Sequence, residues 1–347
     1  MKHLTHLAAI ASFAMLFALF GCNAGSGPST EPTSTQRAIY HWKTTFNPTA
    51  SELQFIEDHG ISRLYLHLFD VVPNEQETDV IPSATLRFLQ PMPSGIEVVP
   101  TVYVSHEAMD LIDNHCSESA MAQRIYQRIK AMMLSNGISY REIQLDCDGG
   151  ASLSYSTNFL ASCLLSLAHT DSIQLSTTVR LSQLSNIDRL PPCDRYMLML
   201  YNTGSLQKPQ TRNSILDYDD AKPYIQKLTL QWLDTLAARG IRIDCAYPLY
   251  GWGVAFNNNG QFSHLVPPMQ LPAQTCDTLR VEWGEMSAIR QVQQALADKM
   301  HQYMMGAVAI YHLDSTCLAH YSSDEVESLW QAPVFSRKPK KQIHPNQ

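Results

Sequence analysis

Apolar residues along the chain gather in short runs, separated by longer stretches that place apolar positions on one side of a helical repeat. The runs are "AIYHWK" (38–43), "RLYLHLFD" (63–70), "IEVVPTVYVS" (96–105), "EIQLDCD" (142–148), "IQLSTTVR" (173–180), "RYMLMLYN" (195–202), "RIDCAYPLYG" (242–251) and "GAVAIYHLD" (306–314). Each reads as a strand. In "TASELQFIEDHG" (49–60), Leu53 and Ile56 fall at helical spacing and Gly60 ends the helix. Further helices are expected in 119–137, 156–169, 219–240 and 286–304.

Strand and helix thus alternate eight times over about 280 residues, as a closed (β/α)8 barrel requires. The expected fold is α/β, a single-domain TIM barrel over 37–332. A doubly wound open sheet would show the same alternation. It would also carry a glycine-rich phosphate turn after an early strand, and "WKTTFNP" contains no glycine. In a barrel the chemistry sits on loops at the carboxyl ends of the strands. The connections 203–218 and 252–284 exceed ordinary loop lengths, which predicts a lid or a cleft wall on that face.

Composition adds little until the ends of the chain. A formal net charge of -7 and 45% hydrophobic residues suit a globular body, and the scattered lysines and arginines argue against nucleic-acid binding. The basic tail 333–347 is read as solvated chain. At the other end, Lys2 and His3 precede "LAAIASFAMLFALF", and the run closes on "LFGC". This tetrapeptide resembles the bacterial lipobox, which implies a signal peptide over 1–21 and lipidation of Cys22; an ordinary secretory signal is the alternative. Residues 22–36 then form a polar tether, and the protein hangs from a membrane by its lipid alone. Of the 8 cysteines, Cys147, Cys163 and Cys245 lie in expected strands or a helix and are read as buried thiols. Cys116, Cys193, Cys276 and Cys317 are the candidates for pairing.

"REIQLDCDGG" (141–150) carries the candidate chemistry. Alternate side chains of a strand share a face, so Gln144, Asp146 and Asp148 point into the barrel while Ile143, Leu145 and Cys147 face the helices. A second carboxylate beside an acid raises its pKa and keeps a proton available near neutral pH. The structural alternative pairs both aspartates with arginines such as Arg180. No histidine follows at ligand spacing and no G-x-S-x-G occurs, so neither a metal nor a serine nucleophile is expected, and no cofactor.

The same strand resembles the D-G-x-D-x-D-x-E strand of family 18 glycoside hydrolases, the chitinase and endo-N-acetylglucosaminidase group. On that motif Arg141 and Gln144 replace the first two aspartates, Asp146 matches the third, and Asp148 stands at the catalytic glutamate. "MLYN" (199–202) is similar to the family's M-x-Y-D, with Tyr201 and Asn202 at its last two positions. "AYPLYGWG" (246–253) is similar to G-x-P-x-Y-G, and "GAVAIYHLD" resembles the final G-x-x-x-W strand with Tyr311 at the tryptophan. In the first half, "IYHWKTTFNPT" and "RLYLHLFDVV" look more like an uncharacterised group of bacterial lipoproteins.

The resemblance implies Asp148 as acid, with Asp146 and Tyr201 orienting the acetamido group of an N-acetylglucosamine unit that attacks its own anomeric carbon. Trp42, Gln144, Asn202, Tyr250, Trp252 and Tyr311 are the expected substrate-binding residues, the aromatic ones because they lie in or just beyond strand ends, where flat rings stack on sugar faces. Tyr103, Tyr247 and Trp283 are further aromatic candidates at the strand ends. Asp148 is one methylene shorter than glutamate, which withdraws the carboxyl by about 1.5 Å, a displacement that can cost about 100-fold in rate. Gln144 cannot exchange a proton with Asp146. Asp70, Asp217, Asp219, Asp220, Glu282 and Asp314 remain possible partners in a two-carboxylate hydrolysis. The expected protein is a monomeric, lipid-anchored glycoside hydrolase of the bacterial envelope, periplasmic or at the cell surface; the alternative is a non-catalytic glycan-binding lipoprotein on the same barrel.

Overall fold

The computed structural model describes residues 35–115, 117–147, 155–207, 209, 212–268, 278–300 and 306–331. Every expected strand is present: β1 Gln36–His41, β2 Arg63–Pro73, β3 Glu97–Val104, β4 Glu142–Cys147, β5 Gln174–Arg180, β6 Arg195–Met199, β7 Arg242–Pro248 and β8 Ala307–Tyr311. All pair in parallel with their sequence neighbours, and β1 pairs with both β2 and β8, so the barrel closes. Asp148, Cys116, Cys276, the proposed signal, Cys22, most of the tether and the basic tail lie outside the described residues. Among the described residues no helix is long and apolar enough to cross a membrane.

Two apolar layers follow from the alternation in each strand. Ile143 and Leu145 of β4, Leu64 and Leu66 of β2 and Val98 and Val102 of β3 join the core between strands and helices, while Ala38, Tyr40, Tyr65, Val99, Met197 and Ala309 fill the barrel. Several of the helices that cover the strands begin on side-chain caps. Helix α1 (Ala50–Asp58) opens with a capping box between Thr49 and Glu52, and Gly60 after it has the positive φ that ends a helix without a Cβ penalty.

The barrel base is ionic. Arg63 of β2, Glu142 of β4 and Arg195 of β6 meet there, with Arg63 hydrogen-bonded to Glu142 and the Arg195 Nε 3.5 Å from the same carboxylate. Asp244 of β7 joins them. It accepts from Arg195 Nη1 at 2.9 and 3.0 Å, from the Tyr65 hydroxyl at 3.2 Å and from the Ala307 N–H at 2.7 Å. A Cβ at Gly306 would collide with this carboxylate, so glycine is required where β8 begins. Arg63, Glu142 and Asp244 are buried, and burial raises the Glu142 pKa despite the two guanidinium groups beside it.

The segment after β7 departs from the expected loop. Gly251–Phe256, Phe262–Val266 and Thr278–Trp283 form their own antiparallel sheet, with Gly251–Phe256 in the middle. Glu282 and Trp283 therefore stand on a strand and not in a loop. Cys193 and Cys317, candidates for pairing, are thiols, as are Cys163 and Cys245. Burial drives the Cys193 and Cys245 thiols up to about 12, so neither is a nucleophile at neutral pH.

His41, at the end of β1, gives the fold a pH dependence. Its ring packs on Phe46 with centroids 5.1 Å apart, and its Nδ1 meets no hydrogen-bond partner among the described residues. Burial, and then Lys43, lower the imidazole pKa to about 4. The unfolded chain takes up this proton near pH 6.5 and the folded chain only near 4, so stability falls as pH drops through that interval. A loss of about 3 kcal/mol from this residue is expected in urea unfolding between pH 7 and pH 4. His41→Gln, which cannot take the proton, should show a shallower decline; equal slopes would remove His41 as the cause.

Candidate functional site

The carboxyl ends of the strands surround a cleft of about 610 Å³, within the range of pockets that hold small organic ligands. Asp146 lies on its floor, 9% exposed. Parallel pairing sets Leu145 against Thr177, so the next inward residue of β5 comes level with Asp146. Thr178 Oγ1 donates to Asp146 Oδ1 at 2.6 Å, a short hydrogen bond that fixes the carboxyl group.

Tyr201, Tyr311, Tyr40 and Trp42 continue the floor as one aromatic cluster. Tyr201 stacks on Tyr311 with centroids 5.1 Å apart, Tyr311 lies 5.7 Å from Tyr40, and Trp42 lies 5.8 Å from Tyr311. Burial, with Tyr40, Tyr311 and Asp146 nearby, raises the Tyr201 pKa well above its ordinary value. The hydroxyl is thereby kept as a donor throughout the physiological range. Tyr250 crosses Tyr201 edge-on at 6.2 Å, and its hydroxyl donates to Asn202 Oδ1 at 2.8 Å. Asn202 holds a positive φ, a conformation that asparagine tolerates better than most residues.

Trp252 forms part of the wall beside Tyr250, 5.3 Å away, and its indole N–H donates to Glu282 Oε2 at 3.0 Å. Glu282 is buried behind it, accepts from the Ser214 backbone and hydroxyl, and pairs with Arg280. It orients an indole and does not face the cleft. Leu265, Val266, Pro267 and Pro268, from the strand Phe262–Val266 and the residues after it, complete this side.

Of the candidate residues, Asp146, Tyr201, Trp42, Asn202, Tyr250, Trp252, Tyr311 and Tyr103 all line the cleft. Gln144 does not. It is 1% exposed one layer below, where its Oε1 accepts from the Tyr40 hydroxyl at 2.8 Å, so it supports the floor and meets no ligand. Tyr247 faces the helix layer, one residue out of phase with the inward Ala246. Trp283 stacks on His320 at 3.8 Å, away from the cleft. Asp217 caps the helix Tyr218–Ile225 and, with Asp219 and Asp220, faces Arg212. Asp70 and Asp314 do line the cleft; Asp314 caps Ser315–Leu318 and lies 3.3 Å from Lys43. Thr178 and His312 were not singled out by the sequence reading, whereas the Leu265–Pro268 wall lies within 252–284, the connection expected to form a lid or a cleft wall. Thr178 could have been found, because it shares the parity of Arg180, which also lines the cleft. Among the described residues, no group of three or more His, Cys, Asp or Glu side chains is placed to hold a metal ion.

Solved structures share this barrel. The spore cortex-lytic enzyme SleL of Bacillus cereus superposes with a TM-score of 0.51 at 12% identity, covering 86% of this chain and 74% of that one. The group IV chitinase of Ostrinia furnacalis gives 0.51 at 10% identity over 85% and 98% of the two chains. A mutant class V chitinase of Nicotiana tobaccum in complex with NAG4 gives 0.50 at 13% identity over 85% and 99%. At such identities the likeness is one of fold. No family model matches the sequence, and no curated protein does.

Proposed function

We propose that this chain, a TIM barrel with the fold seen in chitinases, is a glycoside hydrolase-like protein acting on N-acetylglucosamine-containing glycans. The observation that carries the reading is Asp146 and Tyr201 on one cleft floor, an acceptor and a protonated donor, enclosed by Trp42, Tyr250, Trp252 and Tyr311. Flat rings stack on sugar faces, and polar tips take the hydroxyls. In the reaction, Asp148 protonates the glycosidic oxygen and the bond to the anomeric carbon breaks. The acetamido carbonyl of the same sugar attacks that carbon, with its N–H held by Asp146 and its oxygen by the Tyr201 hydroxyl. Water then opens the ring so formed and returns a proton to Asp148. The lipobox-like "LFGC" supports a signal over 1–21 and a lipid on Cys22, which would tether the barrel to a bacterial envelope membrane; we take the protein to be a monomer.

A non-catalytic glycan-binding protein is the second reading, and Gln144 favours it. Its side chain is committed to Tyr40 and, as an amide, relays no proton to Asp146. Reducing ends released from a panel of chitooligosaccharides, with binding measured in parallel, separate the two. Hydrolysis by the wild type, lost in Asp148→Asn with binding kept, supports the enzyme. Binding without release supports the binding protein, and neither binding nor release rejects both.

A further inference from the structure

We infer that Asp70, held by His67 beneath Trp42, is a specificity-determining residue that binds a second sugar unit beside the one on Asp146; the inference rests on the glycan reading above. Strict alternation along β2 sends Arg63, Tyr65 and His67 inward and would send Phe69 after them, leaving Asp70 among the helices. The strand does not keep that alternation. Its register with β3 shifts between His67, opposite Thr101, and Phe69, opposite Val102, so Leu68 is an extra residue. Phe69 and Val71 thereby join the outer core, and Asp70 comes opposite Tyr103 with its carboxylate on the cleft. A bulge that re-aims one polar side chain at a site is a recurrent device of functional strands.

The side chain so delivered is also fixed. His67 is 2% exposed, its Nε2 lies 2.7 Å from Asp70 Oδ1, and its Nδ1 has no partner among the described residues. The hydrogen bond places the ring proton on Nε2, which makes His67 the donor and Asp70 the acceptor. Trp42 covers the imidazole with ring centroids 4.6 Å apart, so the ring is held from above. Asp70, 27% exposed as a side chain, faces the cleft beside that indole. An aromatic face with a carboxyl group at its side fits a pyranose: the apolar face of the sugar packs on Trp42, and a ring hydroxyl donates to Asp70. Asp70 stands opposite Tyr103 and Tyr103 opposite Asp146, so the two carboxylates lie two strand spacings apart, about 10 Å and more than one pyranose ring spans, and the sugar on Asp70 is a different unit from the one on Asp146.

The test is calorimetric binding of the β-linked N-acetylglucosamine tetramer to wild type, Asp70→Asn, Asp146→Asn, His67→Gln and His67→Leu, with unfolding midpoints as the control for structure. Asp70→Asn should weaken binding about 10- to 100-fold, the effect of losing a charged acceptor, with the midpoint unchanged. Where hydrolysis is observed, KM should rise and kcat hold. His67→Gln keeps a donor for Asp70 and should bind nearly as the wild type, whereas His67→Leu should resemble Asp70→Asn. Wild-type affinity in Asp70→Asn overturns the inference, while the glycan reading stands on the wild type's own binding of the tetramer and on a loss of rate, where hydrolysis is observed, in Asp146→Asn. A wild type that neither binds nor cleaves the tetramer overturns both.

Discussion

Asp146→Asn is expected to lower kcat/KM for release of reducing ends by about 100- to 1000-fold, the usual effect of removing one preorganised electrostatic group from a transition state. In the proposed reaction the carboxylate accepts from the acetamido N–H and balances the positive charge that develops as the leaving oxygen departs. Thr178 secures one oxygen at 2.6 Å, which prevents the group from turning away when substrate enters. Asparagine is nearly the same size but neutral, and it offers only one acceptor. Affinity should therefore change much less than rate. Initial rates and calorimetry on the same oligosaccharide check this, and wild-type rates would remove Asp146 from the reaction.

Asp244→Ala should cost about 3–5 kcal/mol of unfolding free energy, although it lies at the opposite end of the barrel from the cleft. The residue is 1% exposed and serves Arg195, Tyr65 and the Ala307 N–H together. Its loss takes the acceptor from Arg195 Nη1 and from the Ala307 N–H, which is more expensive than never having buried the pair. Asp244→Asn keeps an acceptor without the charge and should fall between the two. Urea denaturation measures the difference; a change below about 1 kcal/mol would mean that water enters the base of the barrel.

Much of this was legible in the apolar pattern. Eight runs separated by helical stretches sufficed for the barrel, and the two-residue repeat of "EIQLDCD" correctly set Gln144 and Asp146 inward and Ile143 and Leu145 outward. Parity alone does not give depth. Gln144 shares a face with Asp146 but lies one layer lower, where Tyr40 covers it. Parity also fails at a bulge, which is why Asp70 is the inward residue of β2 beyond His67. The ionic base was hidden for another reason: Arg63, Glu142 and Arg195 each begin a strand, where a charge reads as solvent-facing, and only closure of the barrel brings them together. The sheet after β7 did leave a trace. "NNNG" (257–260) separates two extended segments, with Gly260 at a positive φ and the Gly260 N–H bonded to Asn257 O, and it reads afterwards as a hairpin turn.

That hairpin hydrogen-bonds as a sheet with no barrel strand; its links include Glu282 to Ser214 and Trp283 O to the Asn213 side chain. Its rim residues, Leu265 to Pro268, meet whatever enters the cleft, while Asp146 and Tyr201 are fixed by β4 and the end of β6. One wall of the cleft is thus carried on a piece of chain separable from the strands that hold Asp146 and Tyr201. Grafting a hairpin of different length or character onto Gly251 and Trp283 offers a route to altered ligand preference with the barrel left untouched, the same division of labour that lets one scaffold diversify through its loops.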